Sequence, residues 1–351
     1  EACAAIQEGV QIGRPKESIH CETLPVADGG DGIASTLTHA QKGTWKTLTV
    51  PNALGNPVEA GYGLIENGDT AIIEMAEASG LARLDPEDLR PEEANTFGTG
   101  ELIRDAMTVG AKTIVLGLGG SATNDAGTGM AQALGWKFFG ASGKELDTLP
   151  RDLKHLDSVE APFSPTFPQV TVACDVSNPL LGPNGCTRVY GPQKGIIPDD
   201  FEKHEDGLTR LVESLQSGKE ANLPGAGAAG GLGFGSVVFL NASLTPGFDL
   251  VADILHLEES IRGADIVVTG EGRLDQQSLE GKAPYGVAKM ARELGKPVVT
   301  FCGILESPDL AGVFGRVFEI RKPDLDTSEN MARGRDHLIA KAAEWARSLP
   351  E

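Results

Sequence analysis

The sequence predicts an α/β protein in which both chain ends build one parallel-sheet domain and a second α/β domain is inserted between them. Three observations lead there. Segments of strand and helix character alternate along the 351 residues, as in layered α/β folds. The chain is longer than one ordinary hydrophobic core serves, which points to two domains. The two ends share a strand–turn–helix texture, whereas the middle opens on three short strands joined by tight turns. The boundaries fall near 43 and 248, so that 1–42 and 248–351 form one domain and 43–247 the other.

Ala2–Val10 has helical composition. His20–Val26 reads as a strand that runs through Ala27-Asp28-Gly29-Gly30-Asp31-Gly32 into an apolar-periodic helix, Ile33–Ala40. Thr44–Val50, Val58–Leu64 and Thr70–Met75 are separated by Asn52–Pro57 and Glu66–Asp69, the pattern of an antiparallel meander. Helix Gly98–Val109, strand Lys112–Leu116, the glycine-rich run Gly117–Gly129 and helix Thr128–Leu134 follow. Strand Gln169–Cys174 leads into a long polar stretch, Asp175–Pro198. Pro224–Gly235 is glycine-rich and uncharged; it is either a backbone cradle for a ligand or a flexible or closely packed connection. Strands Asp265–Thr269, Pro297–Phe301 and Val317–Ile320, with helices Pro284–Leu294 and Met331–Leu349, complete a parallel sheet at the end.

Composition excludes several classes. With 40% hydrophobic and 23% charged residues the chain is that of a globular protein. A formal net charge of −20 offers no footprint for nucleic acid or anionic lipid. Apolar runs such as Ile114–Leu116 are far shorter than a membrane span. Five scattered cysteines without a Cys-x-x-Cys pair read as reduced thiols in a cytoplasm. The histidines form no His-Glu-x-x-His run, which disfavours His-ligated zinc. The sequence begins at Glu1 without an initiator Met and without a signal-peptide pattern, so a preceding segment is expected.

Three loops can carry chemistry. Gly117–Gly129 follows a buried-type strand and opens a helix. Glycines let a backbone approach an anion, and amides at a helix start point toward it. Ser121, Thr123 and Asn124 add donors, while Asp125 repels phosphate unless a metal lies between; the alternative is a tight turn with Asp125 as N-cap. The second loop, Gly270-Glu271-Gly272-Arg273-Leu274-Asp275, lacks the third glycine of a dinucleotide fingerprint. Glu271 suits Mg²⁺ or a substrate hydroxyl, and Arg273 suits a carboxylate or phosphate; a solvated Glu–Arg loop is the alternative. The third loop places Asp28 and Asp31 among glycines at a strand-to-helix turn, for a proton or a metal, or as a capped turn. Gly281-Lys282 is followed by Ala283, so it is no Walker A motif.

Together these stretches resemble the bacterial glycerate kinase family, the glycerate 2-/3-kinases of type 1. The resemblance rests on Pro25–Gly32, Gly98–Ile103, Gly117–Gly129, Ala173–Gly185, Gly191–Gly195, Pro224–Gly233 and Thr269–Pro284, in register over nearly the whole chain. It implies a flavodoxin-like domain carrying the insertion, with the active site in a cleft. It also implies ATP- and Mg²⁺-dependent phosphorylation of D-glycerate, with 2-phosphoglycerate favoured over 3-phosphoglycerate, by a cytoplasmic monomer or homodimer. The alternatives are a kinase for another small hydroxy acid and a catalytically silent ligand-binding regulator. Compared with the family, a first strand and loop before Glu1, and a stretch between Leu146 and Asp147, are missing from the sequence.

On this resemblance the residues take roles. Asp28 accepts the hydroxyl proton, Arg273 holds the glycerate carboxylate and Lys194 assists the phosphates. Gly119, Gly120, Ser121, Ala122, Thr123 and Asn124 hold the nucleotide; Asp31, Glu271, Asp275 and Lys282 face the substrate. Asp125, Asp175 and Glu271 are the candidate Mg²⁺ ligands.

Overall fold

Strands whose residues are apolar on both faces must lie in the middle of a covered sheet, and those with one polar face toward its edge. A computed structural model of the chain describes residues 1–14, 19–27, 32–147, 150–163, 167–279 and 282–349. The chain divides into two compact units, Gly29–Val251 and the pair Glu1–Asp28 with Ala252–Glu351.

The larger unit contains β1 (Thr44–Pro51), β2 (Pro57–Ile65), β3 (Thr70–Glu74), β4 (Thr113–Gly117), β5 (Lys137–Gly140), β6 (Leu156–Glu160), β7 (Gln169–Ala173) and β8 (Ser243–Thr245). Its main sheet runs in the order β1-β2-β3-β4-β7-β8. The first three strands form the expected antiparallel meander, with Thr47 opposite Gly61 and Gly63 opposite Ile72. From β3 onward the pairing is parallel: Ile72 faces Val115, and Val115 faces Thr171. Every residue of β3 is buried, and β4 is buried beyond its first residue, so these two strands occupy the centre. Ile73, Leu102, Leu116, Phe138 and Phe234 are fully buried in one core. Helix Ile33–Ala40 lies on this sheet, where the Thr38 side chain occupies the space left by Gly63. A separate ribbon pairs β5 with β6.

The smaller unit contains β9 (Val267–Leu274), β10 (Val298–Leu305) and β11 (Arg316–Glu319), parallel in the order β11-β10-β9. Val299 faces Val268 on one side and Arg316 on the other. Helices Ala2–Gly13 and Gly334–Arg347 pack together through Gly9 and Gly13, which approach the backbone of Ile339 and Ala343. Val10, Phe301, Ala342 and Trp345 close the core. Among the described residues no helix is long and apolar enough to cross a membrane.

Four local expectations are corrected. His20–Val26 joins no described sheet; a strand persists only where a neighbouring edge exchanges hydrogen bonds with it, and no described edge takes up this segment. The Gly270–Leu274 motif is not a loop after a strand but the second half of β9, because the ladder with β10 continues to Leu274 opposite Leu305. The polar stretch Asp175–Pro198 contains a helix, Cys186–Tyr190, and a 3₁₀ turn, Pro192–Lys194. Helix Ala228–Leu240 begins inside the glycine-rich Pro224–Gly235 segment. Where β9 continues, its ladder with β10 overrides local composition.

Phe301, 3% exposed, stacks on Phe318 at 5.4 Å between ring centroids and meets Trp345 edge-on at 6.0 Å. Replacing it with alanine should cost about 3–5 kcal/mol. Urea unfolding followed by circular dichroism measures this, and an unchanged transition would show that the smaller core does not depend on this ring.

Candidate functional site

The polar turn after β4 begins where the chain leaves the sheet at Gly117, whose carbonyl accepts from the Met75 amide. The next residues are stitched to the segment after β3. The Leu81 amide donates to the Gly120 carbonyl at 2.8 Å, and the Ala122 amide to the Ser79 carbonyl at 3.0 Å. Gly120 is exposed and Ser121 is buried.

Asp125 is wholly buried. Its Oδ2 accepts from the Thr96 amide at 2.9 Å, the Thr96 hydroxyl at 2.7 Å and the Gly129 amide at 3.0 Å. Its Oδ1 accepts from the Gly127 amide at 3.2 Å. Burial pushes the Asp125 carboxyl up from its ordinary pKa, while these donors pull it back toward the carboxylate. The geometry also corrects one expectation. Helix Thr128–Ala133 has only six residues, and amides at its start are already taken by Asp125 rather than offered to an external anion.

The glycine-rich segment forms the other wall. The Ala126 amide donates to the Gly230 carbonyl at 3.0 Å. Gly230 has φ +66°, and a Cβ there would lie 1.8 Å from the Thr123 carbonyl oxygen. Pro224–Gly235 is thus a closely packed connection at this point rather than a flexible one.

Lys194 lies beneath the turn, 2% exposed. Its ammonium donates to Ser121 Oγ and to the Thr123 carbonyl, each at 2.7 Å. Burial pulls its pKa down from 10.5 to about 8. Asn124 donates through Nδ2 to Thr187 Oγ1 at 3.0 Å. Thr123 Oγ1 and Asn124 Oδ1 are buried and have no hydrogen-bond partner among the described residues. Buried polar atoms are seldom left unpaired, so these two are acceptor positions that the described residues leave unfilled. An amine, hydroxyls and an amide thus converge on one turn and can stabilise an anion.

Asp175 is exposed, and its Oδ1 accepts from the Gly247 amide at 2.8 Å. The remaining candidates lie in the smaller unit. Arg273, exposed on β9, pairs with Glu306 and approaches Asp275 at 3.8 Å. Asp275 Oδ1 accepts from the Gln277 amide at 2.9 Å. Lys282 lies 4.0 Å from Glu271 Oε2, whereas Glu271 Oε1 is buried without a partner among the described residues. Asp28 and Asp31 lie outside the described residues. No group of three His, Cys, Asp or Glu side chains arranged to hold a metal ion occurs among the described residues.

Three contributors escaped the sequence. Thr96 grips Asp125 from 29 positions away, and Thr187 meets Asn124 across 63. Glu74, at the end of β3, accepts from the Ala34 amide at 2.7 Å and the Gly32 amide at 3.0 Å. Only the acidic end of an otherwise apolar strand hinted at Glu74. The two threonines gave no local signal.

Comparisons with known proteins agree on one relationship. Residues 1–350 match the model of the glycerate kinase family. A glycerate kinase from Haemophilus influenzae is 40% identical over 336 residues, 93% of this chain and 89% of that one. A glycerate 2-kinase from Escherichia coli is 42% identical over 311 residues, 87% of this chain and 81% of that one. A crystal structure described as glycerate kinase 2 from Salmonella typhimurium LT2 superimposes with a TM-score of 0.88 at 36% identity, covering 98% of this chain and 92% of that one.

Lys194 makes stability depend on pH in a defined direction. Its pKa is about 8 in the fold against 10.5 for a free lysine. Between those values the unfolded chain binds more protons than the folded one, so stability rises with pH; below about 8 both states are protonated and burial of the charge costs most. Wild type should therefore gain on Lys194→Met by a total on the order of 3 kcal/mol as pH rises from about 8 to 10.5. Urea titrations of both proteins across that window test it, and a constant difference would mean that the amine is not desolvated.

Proposed function

We propose, from the premise that the chain belongs to the glycerate kinase family and is a glycerate kinase, that it transfers the γ-phosphoryl group of ATP to the 2-hydroxyl of D-glycerate. The observation that carries the nucleotide side of this reading is the Lys194 ammonium bonded beneath the Ser121–Thr123 turn. The choice of the 2-hydroxyl is supported by the glycerate 2-kinase of Escherichia coli, 42% identical to this chain.

Phosphoryl transfer of this kind requires positioning and charge neutralisation more than covalent chemistry. In our reading Gly119–Asn124 hold the phosphates, and Lys194 supplies positive charge through the turn that it supports. Arg273 binds the glycerate carboxylate by exchanging its pairing with Glu306, and Asp275 orients the guanidinium. Lys282 steadies the substrate side beside Glu271. Asp28 accepts the proton of the attacking hydroxyl, with Asp31 on the substrate.

The carboxylates named for Mg²⁺ are not equivalent. Both oxygens of Asp125 are engaged by protein donors, so Asp125 braces the turn. Glu271 fits a cation best, because its Oε1 is buried and lacks a partner among the described residues. Asp175, exposed in the larger unit, is the second candidate. Mg²⁺ bound there would offset the negative charge of the transferring phosphoryl group.

Incubation with ATP, Mg²⁺ and D-glycerate should yield 2-phosphoglycerate, identified by NMR of the product. 3-Phosphoglycerate would overturn the regiochemistry, and no phosphoglycerate would overturn the reading. Asp28→Asn should lower kcat at least about 100-fold, as expected for a lost general base; near-wild-type turnover would remove Asp28 from that role.

The two carboxylates separate by a paired measurement. Asp125→Asn should lose about 2–4 kcal/mol of stability in urea, whether or not Mg²⁺ is present, because hydrogen bonds to a charged acceptor are worth roughly 1.5–3 kcal/mol each. Glu271→Gln should unfold like wild type yet need a higher Mg²⁺ concentration for half-maximal rate. The reverse pattern would exchange their roles.

A further inference from the structure

A depression of about 660 Å³ opens in the larger unit beside the polar turn. It is lined by Ser35, Trp45, Glu77, Leu81, Ala82 and Gly120, among others. It lies by the carboxyl ends of two parallel strands, since Glu74, the last residue of β3, also lines it, and Gly120 follows β4. In open α/β sheets that is where ligands bind. The volume is within the usual range of small-molecule pockets, roughly 300–1,000 Å³, and is far more than a three-carbon acid fills.

The lining is divided in character. Leu81, Ala82 and the Trp45 indole provide an apolar wall. Trp45 is 43% exposed, a large aromatic surface left open to solvent. Its ring is nonetheless held, because it lies over Gly61, where a Cβ would sit 2.3 Å from the indole Nε1. Of the other two tryptophans, Trp345 is buried against Phe301 and Trp136 is half-buried against Phe239. The polar part of the lining is Ser35, two carboxylates and Arg83. Glu74 binds the Gly32 and Ala34 amides, and Glu77 pairs with Arg83 at 2.6 Å. Carboxylates repel phosphate but accept hydrogen bonds from sugar hydroxyls.

Gly120 belongs both to the depression and to the turn whose next residue, Ser121, is bonded to Lys194. A ligand that is flat and apolar at one end, hydroxylated in its middle and anionic at the other satisfies all three environments in sequence. We infer that this depression receives the nucleoside of ATP, with the base against Trp45 and the phosphates leaving past Gly120 onto the polar turn. The inference rests on the kinase reading above and extends it to a base-recognition site.

Wild type, Trp45→Phe, Trp45→Ala and Ala82→Tyr are titrated with ADP and with inorganic tripolyphosphate, by tryptophan fluorescence and by calorimetry. KM values for ATP and for D-glycerate are measured alongside. ADP should change the fluorescence of wild type, and Trp45→Phe should lose that signal while calorimetry still reports binding. Trp45→Ala should raise the ADP Kd and the ATP KM by roughly 5- to 100-fold, the range for loss of one base–aromatic stack. Ala82→Tyr, which fills the depression from an exposed position, should weaken ADP as well. Tripolyphosphate affinity and the glycerate KM should stay within about twofold of wild type in Trp45→Ala, because stacking concerns the base alone. Unchanged ADP affinity in both Trp45→Ala and Ala82→Tyr overturns the inference. So does a rise confined to the glycerate KM, which would make the depression the acceptor's, or an equal loss of tripolyphosphate. The kinase reading fails separately, by absence of phosphoglycerate from wild type, while the ADP titrations still decide where the nucleoside binds.

Discussion

The buried Asp125 carboxylate is the constraint on which the candidate nucleotide side depends. It accepts two bonds from Thr96 and one each from Gly127 and Gly129. A carboxylate so far from water is costly unless every lone-pair direction is met. The bonds therefore hold the turn after β4 against the start of helix Phe97–Thr108. Once Asp125 is placed, Ala126 meets Gly230, Thr123 comes over Lys194, and Asn124 reaches Thr187.

Lys194 supplies the opposite charge in the same interior. Among the described residues it is hydrogen-bonded not to a carboxylate but to a hydroxyl and a carbonyl. Desolvation then dominates, and its proton is held less tightly than in water. An anion seated on the turn would restore part of the lost solvation. In the proposed reading, such local, poorly solvated positive charge would let a chain of formal charge −20 hold a polyphosphate against a distant acidic surface screened by salt.

The smaller unit presents its chemistry differently. Glu271, Arg273 and Asp275 are on or just after β9, spaced two apart, and a strand directs alternate side chains to one face. Arg273 is exposed and already paired with Glu306, an arrangement that screening keeps weak and that a substrate carboxylate can replace. Glu271 instead keeps one oxygen buried and unpartnered among the described residues. The contrast in burial along one strand leaves Arg273 open to exchange with solvent and Glu271 Oε1 out of its reach.

Much was legible from sequence because its cause is local or periodic. Short apolar runs bounded by turn residues located β1 to β4, β7 and β11 closely and β9 and β10 at their starts but not their ends, and the meander followed from short turns. Motifs in register established the glycerate kinase family, to which the chain belongs. Local reading failed where a partner distant in sequence decides. His20–Val26 has strand composition but no described edge to join, and Gly270–Leu274 has turn composition but a ladder with β10. Sequence also ranked Asp125 with the metal-type carboxylates. Tertiary structure alone shows that Thr96, 29 residues away, shares Oδ2 with Gly129 while Gly127 takes Oδ1, because hydrogen-bond satisfaction in a buried site depends on which groups the fold brings together.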